Sequence, residues 1–419
     1  MPSLLLSLIL LTPADSDAVP SPGSALEPPR QIAAHGAPID IGREGQACPL
    51  FADLDGDGLG DLLVGEAWGG RLRVYRNLGT RRAPKFGDYE WLRASDNIAR
   101  VPWALGGYKG FTPQLVDLDA DGRLDIVSGC YDRPANWTNE FYWFRRREDG
   151  TFAEAVKLAG EDGQPIQLTG GAQPACADWD GDGDIDLVIG KLDGNIQILR
   201  NTGTPAEPRF AEPTPLLSGG EPIQAPSQWA HPCVADWDDD GDLDLLVAAL
   251  DGSVKWYPNR GTADDPQLNG FLALVRPSPV TVQPDSHRPQ GHPGKQPAVC
   301  VADYNGDGRV DLLLGDGCGR FRGDPPQRPH EQRDAQASRD RLAELRGEWA
   351  AAFRAFQTQT AATADASSAA DTRTAAELKQ AMEAVNEQIE AAQMDVEYYR
   401  PRFQMHGFVW VFLRKPSDG

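Results

Sequence analysis

Five short acidic segments contain the residues whose types and spacing could do chemistry in this chain. Each has carboxylate or amide side chains at its first, third, fifth and ninth positions and a glycine at its sixth, the pattern DxDxDGxxD or a near copy. Carboxylates this close together repel one another unless a hard dication binds among them, and the glycine lets the backbone turn sharply around the ion. The sequence therefore predicts an array of calcium sites at residues 53–61, 117–125, 178–186, 236–244 and 303–311.

The residues that follow each segment place these sites in β-hairpins. A helical calcium loop would continue to a glutamate at its twelfth position, whereas here an apolar run such as residues 62–64 follows the ninth residue. The first aspartates of successive segments are 64, 61, 58 and 67 residues apart, which is typical of a repeat architecture. Each repeat is predicted to form four antiparallel strands, because turn sequences such as residues 76–80 close a third strand downstream.

These repeats resemble the FG-GAP or VCBS-type repeats, which are the blades of calcium-binding β-propellers in integrin heads, in some lectins and in many secreted bacterial proteins. The resemblance covers residues 30–318 and 404–415 and implies an all-β propeller with about five structural calcium ions. A neutral Asn305 makes the fifth site the weakest. The side-chain ligands that the resemblance implies are Asp53, Asp55, Asp57, Asp61, Asp117, Asp119, Asp121, Asp125, Asp178, Asp180, Asp182, Asp186, Asp236, Asp238, Asp240, Asp244, Asp303, Asn305, Asp307 and Asp311.

The two ends of the chain predict how the propeller closes. Residues 38–41 match segments that precede the third and fourth acidic loops, such as residues 165–168, and that are predicted to be fourth strands. Residues 406–414 resemble the third strand of a repeat, but no fourth strand follows them. We therefore expect the N-terminal strand to complete the C-terminal blade of a five-bladed ring, which leaves only short strand edges.

Residues 319–403 have a different composition and predict an α-helical hairpin inserted between the second and third strands of the last blade. Apolar side chains recur there at heptad spacing in two stretches, with a polar link near residues 358–373. The hairpin would either cap the ring or act as an arm for forming a homodimer or docking a partner. The apolar positions are Leu342, Leu345, Trp349, Ala352 and Phe356, then Leu378, Met382, Val385, Ile389, Ala392 and Val396.

The charge of the chain and its N-terminal residues indicate an exported acidic protein. The formal net charge is −22 and there is no basic stripe, so we expect neither nucleic acid nor anionic membranes as partners. A short apolar run followed by small residues indicates a signal peptide over residues 1–18, too short to span a bilayer. Calcium loops of this kind also need the calcium levels found outside the cytoplasm. We expect a secreted, periplasmic or cell-surface protein.

The ligand-binding residues are expected at the end of the blades opposite the acidic loops, where other blade loops converge. Aromatic rings mixed with carboxylates and amides suit a sugar, because its apolar face stacks on tryptophan while its hydroxyl groups bond to polar side chains. The leading hypothesis is a binding or adhesion module for a glycan or an extracellular protein. Its candidate residues are Glu66, Trp68, Trp103, Trp137, Trp229, His231 and Asp316.

Two other functions stay open at this point. In a glycan-active hydrolase or lyase, Glu66, Asp132 or Asp316 would form an acid and base pair. The sequence has no histidine cluster of metal-ligand type, no nucleophile elbow and no phosphate loop, so no catalytic residue is predicted. Alternatively, the ring would be a rigid spacer for the helical arm. The six cysteines fit free buried thiols or disulfides equally well.

Overall fold

The structure is a computed structural model, and it describes residues 26–42, 45–67, 69–101, 110–129, 138–171, 173–204, 206–278, 292–320, 329–364, 375–398 and 404–415. The chain divides into two compact units. Apart from the last two residues of Asp311–Arg320, the strands of the blades lie in the first unit, which comprises Met1–Thr281, Arg288–Cys318 and Met405–Gly419. Both helices lie in the second unit.

The first unit is a ring of five blades, and each blade is a sheet of four antiparallel strands, which confirms the predicted all-β propeller. The strands, from first to fourth, are Ala47–Ala52, Asp61–Glu66, Leu72–Asn77 and Phe86–Trp91 in blade 1; Thr112–Val116, Asp125–Gly129, Phe141–Phe144 and Val156–Lys157 in blade 2; Gln173–Ala177, Asp186–Gly190, Ile196–Leu199 and Thr214–Pro215 in blade 3; His231–Ala235, Asp244–Ala248, Val254–Tyr257 and Leu272–Val275 in blade 4; and Lys295–Ala302, Asp311–Arg320, Val409–Phe412 and Arg30–Gln31 in blade 5.

The ring closes through the first strands and is held by apolar cores between the blades. Each first strand contacts the first strand of the next blade, and Lys295–Ala302 contacts Ala47–Ala52. Because both faces of a blade are covered, the described residues of the second strands are buried, and the residues that directly follow the ninth aspartate are apolar. Alternate residues then face opposite neighbours: Leu63 packs in the core shared with blade 2, whereas Leu62 and Val64 pack in the core shared with blade 5.

The N-terminal strand completes blade 5, as the two chain ends predicted, but it is longer than expected. Arg30 pairs with Val411 and Gln31 with Trp410. The predicted residues 38–41 are only its second part, in which Asp40 bridges to Phe408. A small hairpin, Ala33–Ala34 paired with Ala37–Pro38, interrupts the strand between these two parts and hid its beginning from the sequence pattern.

The same interruption recurs in other blades, and backbone hydrogen bonds near it connect neighbouring blades. Blade 1 has the hairpin Arg93–Ala94 with Asn97–Ile98, and blade 3 has Leu217–Ser218 with Glu221–Pro222. A backbone N–H near each hairpin donates to a carbonyl of the following blade. The bonds are His35 to Phe86 at 3.1 Å, Ser95 to Phe152 at 2.7 Å, Glu161 to Phe210 at 3.1 Å and Gly219 to Leu268 at 2.8 Å. Two further short pairings involve Thr138–Asn139 with Leu168–Thr169, and Gln404–His406 with the second strand of blade 5.

The second unit contains helix α1, Pro329–Ala364, and helix α2, Ala375–Tyr398, which contact each other. Arg341 Nη2 of α1 donates to Gln388 Oε1 of α2 at 3.2 Å. Helices therefore form where the heptad pattern predicted them, while their antiparallel arrangement and their role as cap or arm stay predictions. Neither helix is long and apolar enough to cross a bilayer within its described residues. The predicted core positions that are buried are Leu342, Leu345, Trp349, Leu378, Ile389 and Ala392.

Candidate metal centres and the opposite end of the blades

Each acidic loop joins the first strand of a blade to the second, and its first aspartate organises the turn. Asp53 Oδ1 accepts the N–H of Gly56 at 2.7 Å, and its Oδ2 accepts the N–H of Gly58 at 2.8 Å. The sixth-position glycine has φ between 85° and 97° in all five loops, where glycine is favoured. The equivalent bonds from the sixth residue to the first are Gly122 to Asp117, Gly183 to Asp178, Gly241 to Asp236 and Gly308 to Asp303.

In four loops, three carboxylates each contribute one oxygen atom to a cluster, and the oxygens of a cluster lie within 4.8 Å of one another. The fifth loop has the same backbone turn, but at its third position the amide of Asn305 replaces the carboxylate. The four groups are Asp53, Asp55 and Asp57; Asp117, Asp119 and Asp121; Asp178, Asp180 and Asp182; and Asp236, Asp238 and Asp244.

Several of these oxygens are buried without a hydrogen-bond partner among the described residues. Asp119 is 8% exposed, and burial raises its pKa above the usual aspartate value. A buried carboxylate oxygen without a partner is unfavourable, and a hard cation that prefers oxygen ligands would satisfy it. These donor sets therefore fit calcium, which when bound would supply the positive charge between the carboxylates. The unpartnered atoms are Oδ1 of Asp119, Asp178, Asp180 and Asp238.

The ninth aspartates are buried, and each connects the start of the second strand to the end of the third strand by a hydrogen bond. Oδ1 of each accepts a backbone N–H at 2.6 to 2.9 Å. Burial raises the pKa of Asp125, Asp186, Asp244 and Asp311 to about 6. Their predicted part as calcium ligands stays a prediction. The bonded pairs are Asp61 with Asn77, Asp125 with Arg146, Asp186 with Asn201, Asp244 with Asn259 and Asp311 with Arg414.

At the opposite end of blade 1, the candidate Glu66 is fully buried in an arginine pair that the sequence did not reveal. Its Oε1 accepts from Arg73 Nε at 2.7 Å and its Oε2 from Arg71 Nε at 3.0 Å. The guanidinium carbon of Arg71 in turn lies 4.3 Å from the ring centre of Trp91. Alternate positions of one strand supply both arginines, which is the only sequence signal for this pair.

Asp316, the equivalent candidate in blade 5, is also enclosed. Its Oδ2 accepts from Gly294 N at 2.5 Å and from Trp410 Nε1 at 2.9 Å, while its Oδ1 accepts from Phe408 N at 2.9 Å. Burial raises its pKa to about 6. Glu66 and Asp316 therefore have structural partners in this arrangement and are not brought to a common open site.

A third set of residues lies at the seam between blades 3 and 4, and His231 also contacts blade 5, where its Nδ1 accepts from the N–H of Val299 at 3.5 Å. Gln173 pairs with Gly190, and a side chain at Gly190 would meet the carbonyl oxygen of Ala230, next to His231, at 2.2 Å. Both polar atoms of Gln173 and Nε2 of His231 are buried, with no hydrogen-bond partner among the described residues. Burial lowers the pKa of His231 to about 4, so its ring is neutral at pH 7.

The half-buried Trp229 belongs to the same seam and has an unusual backbone. Gln228 and Trp229 have φ of 68° and 50°, a left-handed conformation that side chains rarely adopt. The N–H of Trp229 donates to the carbonyl of Leu192 at 2.9 Å. Trp229 and His231 were predicted as ligand residues, and the burial of Gln173 without a hydrogen-bond partner among the described residues became evident from the packing. The other predicted residues Trp68, Trp103, Trp137 and Asp132 lie outside the described residues.

The cysteines with described side chains are free thiols at the positions where the sequence left disulfides open. Burial raises the pKa of Cys48 to about 12 and that of Cys300 to about 11. Cys176 and Cys233 are raised in the same direction by the same cause. These thiols are packed within the first strands and do not act as reactive groups in this state.

Among solved structures, this chain is similar to a lectin from Agrocybe aegerita described as recognising non-reducing terminal N-acetylglucosamine, with 18% identity, a TM-score of 0.32 and coverage of 68% of this chain and 64% of the lectin. It is also similar to the GH43_1 enzyme from Xanthomonas citri complexed with xylotriose, with 14% identity, a TM-score of 0.43 and coverage of 70% and 86%.

Sequence comparisons give closer agreement with the repeat geometry. Cartilage acidic protein 1 from Homo sapiens and from Xenopus tropicalis are 27% and 25% identical to 42% of this chain, which spans about a quarter of their length (24% and 25%). The FG-GAP-like repeat matches residues 53–128, 117–189, 178–247 and 236–314. Each match begins at an acidic loop and ends in the second strand of the next blade. These matches extend over more than half of the sequence, and the chain belongs to the FG-GAP-like repeat family.

Proposed function

We propose that this protein is a calcium-stabilised binding module, which recognises a glycan or an extracellular protein at the end of its blades opposite the acidic loops. The acidic loops serve as scaffold, because their contacts join strands of the same blade and repeat around the ring. Export of the protein, and formation of a homodimer through α1 and α2, belong to the same proposal. The glycan is the ligand that the side chains favour.

The observation that carries this proposal is the seam between blades 3 and 4. Buried polar atoms without partners destabilise a protein by about 1–3 kcal/mol each, and here Gln173 and His231 contribute such atoms. Non-glycine residues in sparsely populated conformations add about 1–3 kcal/mol each, and here Gln228 and Trp229 are adjacent. Unfavourable features concentrated in one place are typical of ligand sites, where binding offsets them.

The chemistry of the seam suits hydroxyl groups. An amide donates and accepts hydrogen bonds. Because Nδ1 of the neutral His231 ring accepts from Val299, its Nε2 carries the proton and donates, so both side chains match a sugar hydroxyl. A bound sugar would reach Gln173 and His231 directly or through a bridging water, while the indole of Trp229 offers an apolar face to the ring.

Two carboxylates that the competing hydrolase hypothesis would use as acid and base are enclosed by protein partners, and this favours binding over catalysis. A general acid or base must reach the atom with which it exchanges a proton. Glu66 has both oxygens on arginines, and Asp316 accepts three hydrogen bonds from the interior. Neither is offered to a substrate in the described residues.

The proposal is tested by passing a panel of soluble polysaccharides over the calcium-loaded, immobilised full chain and measuring both retention and new reducing ends. We expect retention of at least one polysaccharide without cleavage. Trp229→Ala should reduce that retention about tenfold, because an aromatic stacking face is worth about 0.5–1.5 kcal/mol beyond the apolar area that it buries. The matched control is Phe271→Ala, which removes a half-exposed ring directly before the outer strand of blade 4 and should leave retention unchanged.

Two outcomes would contradict the proposal. New reducing ends would show that the protein is a glycan-active enzyme. Equal loss of retention in both variants, or capture of a protein but no polysaccharide by the same surface, would show that Trp229 is not part of a sugar site. Circular dichroism melting of each variant separates loss of binding from loss of fold.

A further inference from the structure

One position at the end of the third strand distinguishes the acidic loops from one another. It directly precedes the residue whose backbone N–H donates to the ninth aspartate, so it occupies the same place relative to the acidic loop in every blade. Blades 1 to 3 have an arginine there, whereas blades 4 and 5 have uncharged residues. The residues at this position are Arg76, Arg145, Arg200, Pro258 and Leu413.

In blades 1 and 3 this arginine binds two loop carboxylates with a single nitrogen. Arg76 Nη1 lies 3.0 Å from Asp55 Oδ2 and 2.8 Å from Asp61 Oδ2. Arg200 Nη1 lies 2.6 Å from Asp180 Oδ2 and 2.8 Å from Asp186 Oδ2. The cation thus bridges the third carboxylate, a predicted calcium ligand, and the buried ninth carboxylate.

In blade 2 the arginine binds the third carboxylate alone. Arg145 Nε lies 3.0 Å from Asp119 Oδ2, and Trp143 Nε1 occupies Oδ2 of the ninth residue, Asp125, at 2.7 Å. Arg123, inside the same loop, also pairs with the fifth carboxylate, Asp121. Each of the first three loops therefore has at least one carboxylate partly neutralised by a protein cation.

Loops 4 and 5 lack this contact. In loop 5 the third residue is the neutral Asn305, while the first carboxylate, Asp303, lies 3.4 Å from Arg81 Nη2. In loop 4 the third residue is Asp238, which forms no direct ion pair with a described arginine or lysine and keeps a buried unpartnered Oδ1, although the charge of Arg260 acts on it from a greater distance. Arg414 lies near this loop, but it pairs with Asp239 at 3.3 Å and with the carbonyl of Trp237 at 2.7 Å.

We propose that the third-strand arginines are built-in counter-cations that grade the calcium affinity of the loops, so that loop 4 fills before loops 1 to 3. Calcium affinity rises with the number of ligand charges that are available. A fixed arginine removes about one charge from the site and must share its carboxylates with the incoming ion, while like charges at about 4 Å repel it. The same arginines keep loops 1 to 3 folded when calcium is scarce.

Loops 3 and 4 provide a matched pair in the same chain. Both have aspartate at the first, third, fifth, seventh and ninth positions, and both have tryptophan at the second, Trp179 and Trp237. Within the loops they differ at the fourth position, where the charge of Asp239 is paired with Arg414, and at the apolar eighth position. At the end of the third strand, loop 3 has Arg200 and Thr202 where loop 4 has Pro258 and Arg260. Because the charge of Arg260 acts on Asp238, the variants at Arg200 isolate the effect of this arginine.

The experiment titrates the metal-free full chain with terbium, a hard trivalent substitute for calcium, and records emission excited through tryptophan. Loops 3 and 4 contain tryptophan, and Trp143 contacts Asp125 of loop 2, so three phases are expected. The loop 4 phase should be the tightest and should be lost in Asp238→Asn, while the phases of loops 2 and 3 should be lost in Asp119→Asn and Asp180→Asn. Arg200→Gln should shift the loop 3 phase roughly tenfold tighter, because it removes a like charge next to the ion. Arg200→Lys keeps the charge and should change the affinity less.

Calcium competition against terbium, with calorimetric counting of sites, confirms that the same loops bind calcium. The proposal is overturned if the Arg200→Gln phase is unchanged or weaker while the variant melts like the wild type. It is also overturned if loops 3 and 4 bind with equal affinity in the wild type, or if no terbium binds. None of these results depends on whether the seam binds a glycan, so the two proposals fail independently.

Discussion

The acidic-loop end of the blades and their opposite end differ in how far their chemistry repeats. At the acidic end, all five blades use one turn and the same bond from the ninth aspartate to the third strand. At the opposite end, the residue five positions after the ninth aspartate differs in every described blade, and the side-chain partners of Glu66 and Asp316 differ as well. The residues at this position are Glu66, Lys191, Ala249 and Asp316. The repeated contacts therefore form the scaffold. The end of the blades opposite the acidic loops, called the varied end below, is where ligand recognition can evolve.

The largest effect should come from removing a repeated contact at the acidic end. Asp186→Ala leaves the buried N–H of Asn201 without its acceptor and removes one of the two carboxylates that Arg200 binds. We expect the free energy of unfolding to fall by about 3–5 kcal/mol, as when one partner of a buried charged pair is removed. Urea denaturation in calcium measures the change. Lys191→Ala, at the varied end of the same strand, should change stability by less than about 1 kcal/mol, and a larger loss there would break the comparison.

His231, at the varied end, should make stability depend on pH. Burial lowers its pKa to about 4 in the folded protein, while the unfolded chain titrates near 6.5. The unfolded state binds more protons between these values, so His231 contributes stability above pH 6.5 that is lost as pH falls towards 4. The full loss is about 3 kcal/mol, at 1.36 kcal/mol per pKa unit.

The measurement compares the wild type with His231→Gln by urea denaturation at several pH values. The wild type should lose more stability than the variant as the solution is acidified. Parallel profiles would mean that the folded protein accommodates the charged ring, and hence that the seam is open to water.

Calcium should stabilise the acidic end by an amount that the varied end does not affect. At free calcium about 100 times the dissociation constant, each occupied site adds about 2.7 kcal/mol. Chelation should therefore lower the melting temperature in the wild type and in Trp229→Ala by the same amount. An unchanged melt in both proteins would show that the loops do not bind calcium under these conditions, and a different shift in Trp229→Ala would show that the two ends are coupled.

The smallest effect concerns the fourth residue of the acidic loops, which is left-handed in every copy. Ala120 has φ of 52° and Gly56 has φ of 80°, with open space around an added methyl group at Gly56. Ala120→Gly should stabilise the protein by about 0.5–1 kcal/mol and Gly56→Ala should destabilise it by a similar amount, since only backbone strain differs. Thermal unfolding of the two variants is the measurement, and shifts of the same sign would contradict the equivalence of the loops.

The sequence predicted the features that local periodicity determines. The acidic pattern, the apolar runs and the blade count follow from residues close together in the chain, and so does the closing of blade 5 by the N-terminal strand. Arg30–Gln31 was missed as the start of that strand because a hairpin separates it from residues 38–41. Glu66 and Asp316 were predicted as ligand residues because the sequence does not show that they are buried. Asp316 is enclosed by partners such as Gly294 and Phe408, which no pattern near Asp316 reveals.

The pairing of Arg30–Gln31 with Val409–Phe412 has a consequence for how the chain matures. Ribosomes make proteins from the N-terminus, so the first strand of the ring to be synthesised is the last to find its neighbour. If the chain is exported N-terminus first, that strand waits beyond the membrane until Val409–Phe412 has been translocated. Assembly of the ring is then timed by the arrival of Val409–Phe412, and a polypeptide truncated before it would present an unsatisfied strand edge that quality-control proteases can recognise.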